Sequence, residues 1–490
     1  MTCRPKTIVA SLALAAVALL PKVTLAENEK PSAKKVFRAG AFAMDVTPTK
    51  LPVIVSGSSL AKGATKIVDP LHARCLVLDD GATQIAIVVV DNLLLPRPMM
   101  DEIKQMAHKK TGIPIDRMLI SATHTHTAPC VYGVLGTDRD DNYAAFLPGK
   151  IAEGIERAHK NLAPARIGWA VGKDPTNVFC RRFLMKPGTA KTNPFTGKAN
   201  DQAQMNPGYQ NPNAVERTGP ADPNVTVLSI QTPEGRPLAL VSNYSTHYAG
   251  STPVSADYFA VFCTEIGKRI GAENLDPPFV AMLSNGTSGD ANCCDFTNPR
   301  RKFDRFTVGR DVAEAAFQAY QTIEYYDWVP LVMEEARLTL NVRKPTPEEV
   351  EEAQKVVDTL PNGKPRTWPE IYARETVIMD KWPDTREIKL QAIRIGQMGI
   401  TAIPNEVYGS TGLHLKAESP LKPTFNTSLA NGYAGYLPPP DQHKLGGYTT
   451  WRARSSCLEE QAEPKIVAKL LELLDTVADR RRDAPLVPSP

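Results

Sequence analysis

The sequence predicts an α/β fold, a central and mostly β arrangement of layers flanked by helices, on three observations. Runs dense in β-branched residues, such as "TQIAIVVVDN", stand beside longer amphipathic stretches that are punctuated by Pro and Gly. The order strand, helix, strand recurs, which calls for a sheet covered by helices. Pro is abundant, at 42 of 490 residues, and aromatic residues are few at 7%, as suits a loop-rich globular enzyme rather than a disordered chain.

Taken in order, "AGAFAMDVTP" reads as a first strand closed by Pro48. In "ARCLVLDDGATQIAIVVVDN" an Asp-Gly turn joins two β-rich runs, a hairpin signal. "PRPMMDEIKQMAHKKTG" has Pro near its start and Gly at its end, the punctuation of a helix, and leads into the buried strand of "IPIDRMLISATHTH". Residues 142–161 read as helix, "ARIGWAVG" and "VTVLSIQ" as extended, and "PLALVSNYSTH" as a strand ending in a histidine. "DYFAVFCTEIGKRIGA" places Phe259, Phe262, Cys263 and Ile266 at helical spacing, and "PPFVAMLSNGTSGD" runs from a strand into a glycine-rich loop. "TVGRDVAEAAFQAYQTI" and "EPKIVAKLLELLDTVADRRRD" give two further helices. Residues 185–223 differ in kind: they are rich in Pro, Asn and Gly and nearly free of apolar periodicity, which suggests a long loop and a candidate lid. No internal repeat and no linker is visible, so residues 36–485 are expected to form one domain.

The first 26 residues carry Arg4 and Lys6, an apolar core from Ile8 to Leu20, and a small-x-small ending at Ala26. That is the pattern of a signal peptide cleaved near Ala26, and its apolar core is shorter than the ~20 residues a membrane span needs. Export to a periplasm or the cell exterior is expected, with residues 27–35 as a flexible polar leader. Without Arg4, Lys6 and Lys22 the 57 basic residues fall to 54 against 53 acidic ones, a balance that offers no footprint for nucleic acid. Seven cysteines would remain, an odd number that leaves at least one thiol unpaired or paired between chains.

The chemistry gathers at strand ends, where ligands collect in α/β sheets. His124 and His126 in "THTHTAP", His247 in "SNYSTHYAG" and Glu406 in "ITAIPNEVYG" all sit at or just past such ends. In extended chain, residues i and i+2 share a face, so the His-Thr-His element would set two imidazoles side by side. With His247 and Glu406 they compose a nitrogen–oxygen set suited to zinc. Taken singly, the histidines equally suit packed or hydrogen-bonded roles, and Glu406 equally suits a cap on a helix beginning near Tyr408.

"VDPLHARCLVLDDGATQIAIVVVDN" and "GIPIDRMLISATHTHTAP" resemble the neutral, non-lysosomal ceramidases and their bacterial relatives, with Thr127 and Ala128 varying a THTHSGP-type segment. Further landmarks come in family order: His247, the loop around Asn285, Gly289 and Asp290, the Pro404–Glu406 turn, and "NGYAGY" with Tyr433 and Tyr436. The resemblance covers most of residues 36–480. It implies one zinc ion per chain, held by His124, His247, Glu406 and Tyr436, with His126 behind the ligands or against the reacting carbonyl. It places Arg181 (or Arg182 by a register slip) at a substrate-contacting arginine and Tyr448 at another site tyrosine. Asp290 would orient the loop or a histidine, or serve as a turn residue. The implied activity is hydrolysis of an N-acyl amide in a small or lipid-like substrate, with no transmembrane segment, peripheral membrane contact allowed, and the oligomeric state left open.

Two departures bear on the substrate. The family serine of the glycine-rich loop is replaced here by Asn292, in "GDANCC", which is neither nucleophile nor base. The family's additional β-sandwich domain has no counterpart in these 490 residues. A secreted binding or scaffold protein that keeps the metal without catalysis is the alternative expectation, and cysteine chemistry at Cys293 is a third.

Overall fold

The three longest apolar runs pair into strands whose alternate side chains are buried on opposite faces, so each sheet needs cover on both sides. The structure, a computed structural model, describes Lys35–Asp479 together with Met1, Thr2 and Thr7. Apart from Met1, Thr2 and Thr7, the expected signal peptide lies outside the described residues, as does all but the last residue of the expected polar leader. The chain divides into two units, Met1–Lys35 and Val36–Pro490, and among the described residues the sheets and helices belong to the second.

Its first part runs β1 (Arg38–Asp45), β2 (His72–Asp79), β3 (Gln84–Val90), α1 (Arg97–Thr111), β4 (Met118–Ala122) and α2 (Asp141–Lys160). Strands β1 to β3 form an antiparallel meander, and α1 then carries the chain over to lay β4 parallel to β3. The second part repeats this order: β5 (Arg166–Lys173), β6 (Asn224–Gln231), β7 (Pro237–Tyr244), α3 (Asp257–Arg269), β8 (Val280–Asn285) and α4 (Arg305–Tyr320). Again three antiparallel strands are followed by a helix and a parallel fourth. The third part has β9 (Leu331–Asn341), then α5 (Pro347–Val357) and α6 (Trp368–Asp380) as an insertion. It continues with β10 (Thr385–Ile395), β11 (Met398–Ala402), α7 (Gly409–Glu418), β12 (Thr424–Thr427) and α8 (Ala462–Asp479). Its strands β9 to β11 are antiparallel and β12 is parallel to β11. One topological unit is thus used three times, a repeat that the sequence does not display.

Packing follows the pleat. In β3, Ile85, Ile87 and Val89 enter a core shared by all three sheets, whereas Ala86, Val88 and Val90 face α1 and α2. In β7, Ala239 and Val241 enter the shared core and Leu240 packs beneath α3 and α4. In β10, Ile393 and Ile395 enter it while Leu390 and Ala392 meet α8. The helices thus form the outer layer and the sheets the inner one, as expected for the α/β class. Residues 185–223 carry two short strands, Ala203–Met205 and Ala214–Arg217, which pair on Arg182–Met185. Backbone pairing supplies the order that the missing apolar periodicity could not announce. Among the described residues, no helix is long and apolar enough to cross a membrane.

Candidate metal centre

Because the first, third and fourth strands of each part run the same way, their carboxyl ends emerge on one edge, and the connections beyond them meet there. Thr123–His126 come after β4, Ser245–His247 after β7, Gly286–Asp290 after β8, and Ile403–Glu406 after β11. The segment after β12 ties the parts together: Asn431 N donates to Ile120 O (2.8 Å), Ser428 N to Asn285 O (3.0 Å) and Leu429 N to Asn405 O (3.1 Å). Glu406 and Tyr436 are opposite each other in a short parallel pair. Residues hundreds of positions apart are therefore brought to one point by backbone hydrogen bonds.

Three imidazoles converge. His124 Nε2 lies 3.1 Å from His247 Nε2 and 3.3 Å from His126 Nε2. On the far side of each ring, Nδ1 faces a backbone carbonyl: Leu93 O for His124 (2.8 Å), Gly57 O for His126 (2.5 Å) and Ser288 O for His247 (3.1 Å). A carbonyl only accepts, so each Nδ1 carries the proton and each Nε2 presents a bare lone pair. Burial, reinforced by the neighbouring imidazoles and Arg181, pushes His126 and His247 well below the usual histidine range, which keeps them in the neutral, ligating form.

Glu406 completes the ring of donors. Its Oε2 is 3.3 Å from His124 Nε2 and has no hydrogen-bond partner, while Oε1 accepts from Tyr433 Oη (3.1 Å). A buried carboxylate oxygen without a partner, facing imidazole nitrogens, is an arrangement that suits a cation. The three histidines can hold a metal ion between them.

The arrangement differs from the sequence expectation in two respects. His124 takes φ 72°, so the His-Thr-His element is not extended: a left-handed residue, rather than the pleat of a strand, turns both rings inward. His126 Nε2 lies beside His124 Nε2, where the resemblance sets this residue behind the ligands or against the reacting carbonyl, and its ring is stacked on Tyr248 with centroids 3.8 Å apart. Neither Gly57 nor Tyr248 was visible as a site residue in the sequence. Gly57 has φ 119°, and a Cβ there would stand 2.6 Å from His126 Cβ.

Around the cluster, Arg181 Nη2 lies 3.3 Å from His247 Nδ1 and donates to Gly289 O (3.1 Å), whereas Arg182 points away to Gln442 and Gly446. Tyr436 packs edge-on against Tyr448 at 5.6 Å, and burial first, then the Glu406 charge, keeps both phenols protonated. Asp290 does not reach a histidine; its Oδ1 accepts from Gly409 N (2.8 Å) and its backbone carbonyl from Arg181 N. Asn292 donates to Asn206 Oδ1 (3.2 Å) and accepts from Cys294 N, so its amide is spent on the loop. The seven described cysteines are free thiols, and Cys293 is pushed up by its pairing with Cys294 and by burial, which suits a structural rather than a nucleophilic sulfur. A cavity of about 100 Å³ opens on His124, His126, Glu406, Tyr436 and Tyr448, and Tyr448 also lines an adjoining pocket of about 510 Å³.

No protein-family model matches the chain. Over 296 residues it is 23% identical to neutral ceramidase A of Dictyostelium discoideum, spanning 55% of this chain and 38% of that protein. Over 288 residues it is 24% identical to neutral ceramidase B of the same organism, spanning 54% and 37%. The chain therefore matches less than two fifths of the length of these curated relatives. The crystal structure of neutral ceramidase from Pseudomonas aeruginosa superposes with a TM-score of 0.66 at 17% identity, covering 93% of this chain and 76% of that one. A ceramidase complexed with C2 superposes with a TM-score of 0.64 at 15% identity, covering 93% and 77%. The fold is accordingly that of these solved ceramidases, an α/β architecture. The chain is similar to the neutral ceramidases in fold and, over about half its length, in sequence.

Proposed function

We propose that this chain is an exported, zinc-dependent amidohydrolase that cleaves an N-acyl amide in a small or lipid-like substrate. The observation that carries the reading is the convergence of three Nε2 atoms and the partnerless Glu406 Oε2 beside a cavity, lined by His124, His126 and Glu406, that shares Tyr448 with a larger pocket of mixed lining. His124, His126, His247 and Glu406 would hold the metal, with Tyr436 at its side. Bound there, zinc supplies a Lewis acid for the scissile carbonyl and lowers the pKa of water from 15.7 toward ~7.

The chain's own residues then position the reaction. Tyr448, protonated at neutral pH, donates to the oxygen that gains charge as the carbonyl is attacked, a contribution typically worth ~3–4 kcal/mol. Arg181, held by Gly289 O, fixes the polar part of the substrate beside His247. Asn292 takes no part in bond making, so cleavage proceeds by water alone. Ceramide is one substrate of this class, as the names of the relatives suggest, and Asn292 marks where specificity would depart from theirs.

Elemental analysis of the purified chain is expected to find one zinc, and a panel of N-acyl amides to show turnover that a chelator removes and added zinc restores. His124→Ala is expected to lower zinc content and rate together. Turnover that persists in demonstrably metal-free protein, or zinc-replete protein inert across the panel, would overturn the proposal.

A further inference from the structure

The pocket of about 510 Å³ that shares Tyr448 with the metal cavity has a split character. Trp368, Trp451, Pro194 and Met205 give it apolar walls, drawn from α6, from the segment after β12 and from the 185–223 region. Two cations, Arg181 and Lys191, line it as well, and none of its lining residues is acidic. Asp201 is engaged outside the lining, accepting from Trp451 Nε1 (2.8 Å) and Asn193 Nδ2 (3.3 Å). Arg181 is only 5% exposed, and its Nε has no hydrogen-bond partner. A desolvated guanidinium with an idle donor is costly unless an anion meets it.

Its position decides where that anion sits. Arg181 Nη2 is 3.4 Å from His247 Nε2, so the charge it attracts lies within a few bonds of the group undergoing cleavage. We infer, resting on the amidohydrolase reading, that the preferred substrate is an N-acyl amino acid: an acyl chain along the Trp368–Trp451 wall and a carboxylate next to the amide nitrogen, met by Arg181 and Lys191. A neutral N-acyl amino alcohol would offer Arg181 Nε no charged partner. The reaction balances with water alone. The acyl C–N bond breaks and a C–O bond forms to the water oxygen. The protons released pass to the departing nitrogen, which leaves as an ammonium on a free amino acid beside a fatty carboxylate.

N-lauroylglycine and N-lauroylethanolamine share an acyl chain and differ chiefly in charge. The zinc-loaded full chain is expected to favour the first by at least tenfold in kcat/KM. Lys191→Glu, and more mildly Lys191→Ala, should shrink that ratio by fivefold or more. Stopped-flow quenching of tryptophan fluorescence, read before turnover, follows binding independently, because Trp368 and Trp451 line the pocket. Tighter binding of the glycine conjugate with no turnover of either compound would remove the hydrolase reading and leave the pocket assignment standing. Turnover of the ethanolamide with no preference for the anion in rate or binding would remove the assignment and leave the hydrolase.

Discussion

His124 occupies the left-handed region at φ 72°, a conformation that costs a non-glycine residue of order 1–3 kcal/mol and persists only where its surroundings demand it. Here the demand comes from both sides of the ring: Leu93 O fixes Nδ1, and Nε2 must meet the nitrogens of His126 and His247. The spacing of the pair points to a site through an extended backbone that His124 does not adopt, and the place of His126 beside His124 follows from that turn rather than from the pleat of a strand. Asp290 shows the same limit. The Gly-Asp step reads as a turn, whereas its buried carboxylate caps Gly409 N at the mouth of α7. Burial first raises this carboxyl from 3.8 to about 6, against the pull of Gly409, Arg181 and Arg182. A raised acid binds more protons folded than unfolded, so its contribution to stability is fully present below pH 3.8 and is lost as pH rises through about 6. Asp290→Asn keeps the Oδ1 acceptor and removes the buried charge. In metal-free protein its stability relative to the parent is therefore expected to be near parity at pH 4 and higher at pH 8, by up to about 3 kcal/mol. Paired denaturant melts at the two pH values check this, and a difference that does not change with pH contradicts it.

At the scale of elements, the loop Gly286–Asp290 is the part that couples one sheet to the next. Gly289 N donates to Val407 O at 2.7 Å, and a Cβ at Gly289 would stand 2.5 Å from Glu406 O and 2.9 Å from its carbonyl carbon. Nothing flexible lies there to give way, so a side chain would displace the backbone that carries Glu406. Gly289→Ala is expected to weaken zinc binding by 10- to 100-fold, the range seen when the support of a ligand is lost, while far-ultraviolet circular dichroism stays near that of the parent. Competition with a zinc chelator measures the change, and unaltered affinity would show that Glu406 is not held by this contact. Elements bounded by local signals were legible in the sequence: α1 ends at Gly112 in the left-handed conformation, and the Asp-Gly turn between β2 and β3 is where expected. The hairpin of β9 and β10 escaped notice because α5 and α6 separate its strands, and because Glu334, Glu335 and Arg337 interrupt the apolar run of β9. The strands within 185–223 escaped because each is no longer than four residues and is specified by its partner, not by its own pattern.

Over the whole molecule, the threefold recurrence of meander, helix, parallel strand and helix explains why the site exists at all. A repeat of topology needs no repeat of sequence, since β-branched runs and amphipathic helices of many compositions satisfy the same layers. That is why the fold class was readable and its internal symmetry was not. Each part contributes donors from the same edge: His124 and His126 from the first, His247 from the second and Glu406 from the third. Without a cation, lone pairs at 3.1 and 3.3 Å face one another across the junction, and that repulsion opposes the association of the three sheets. A bound metal reverses its sign. Because the donors are assembled only in the folded chain, binding adds RT ln(1 + [L]/Kd), about 4 kcal/mol at a thousandfold excess over Kd. The shared core that joins the sheets makes the parts unfold together, so the gain belongs to the entire fold and not to one lobe. Calorimetry is therefore expected to show a single transition that moves up by several degrees with zinc and returns on chelation. His247→Ala should abolish most of the shift, although it lies in a different part from His124. A zinc-dependent transition confined to one fraction of the unfolding enthalpy, with the remainder unmoved, would mean that the three parts are held together by something other than their common junction.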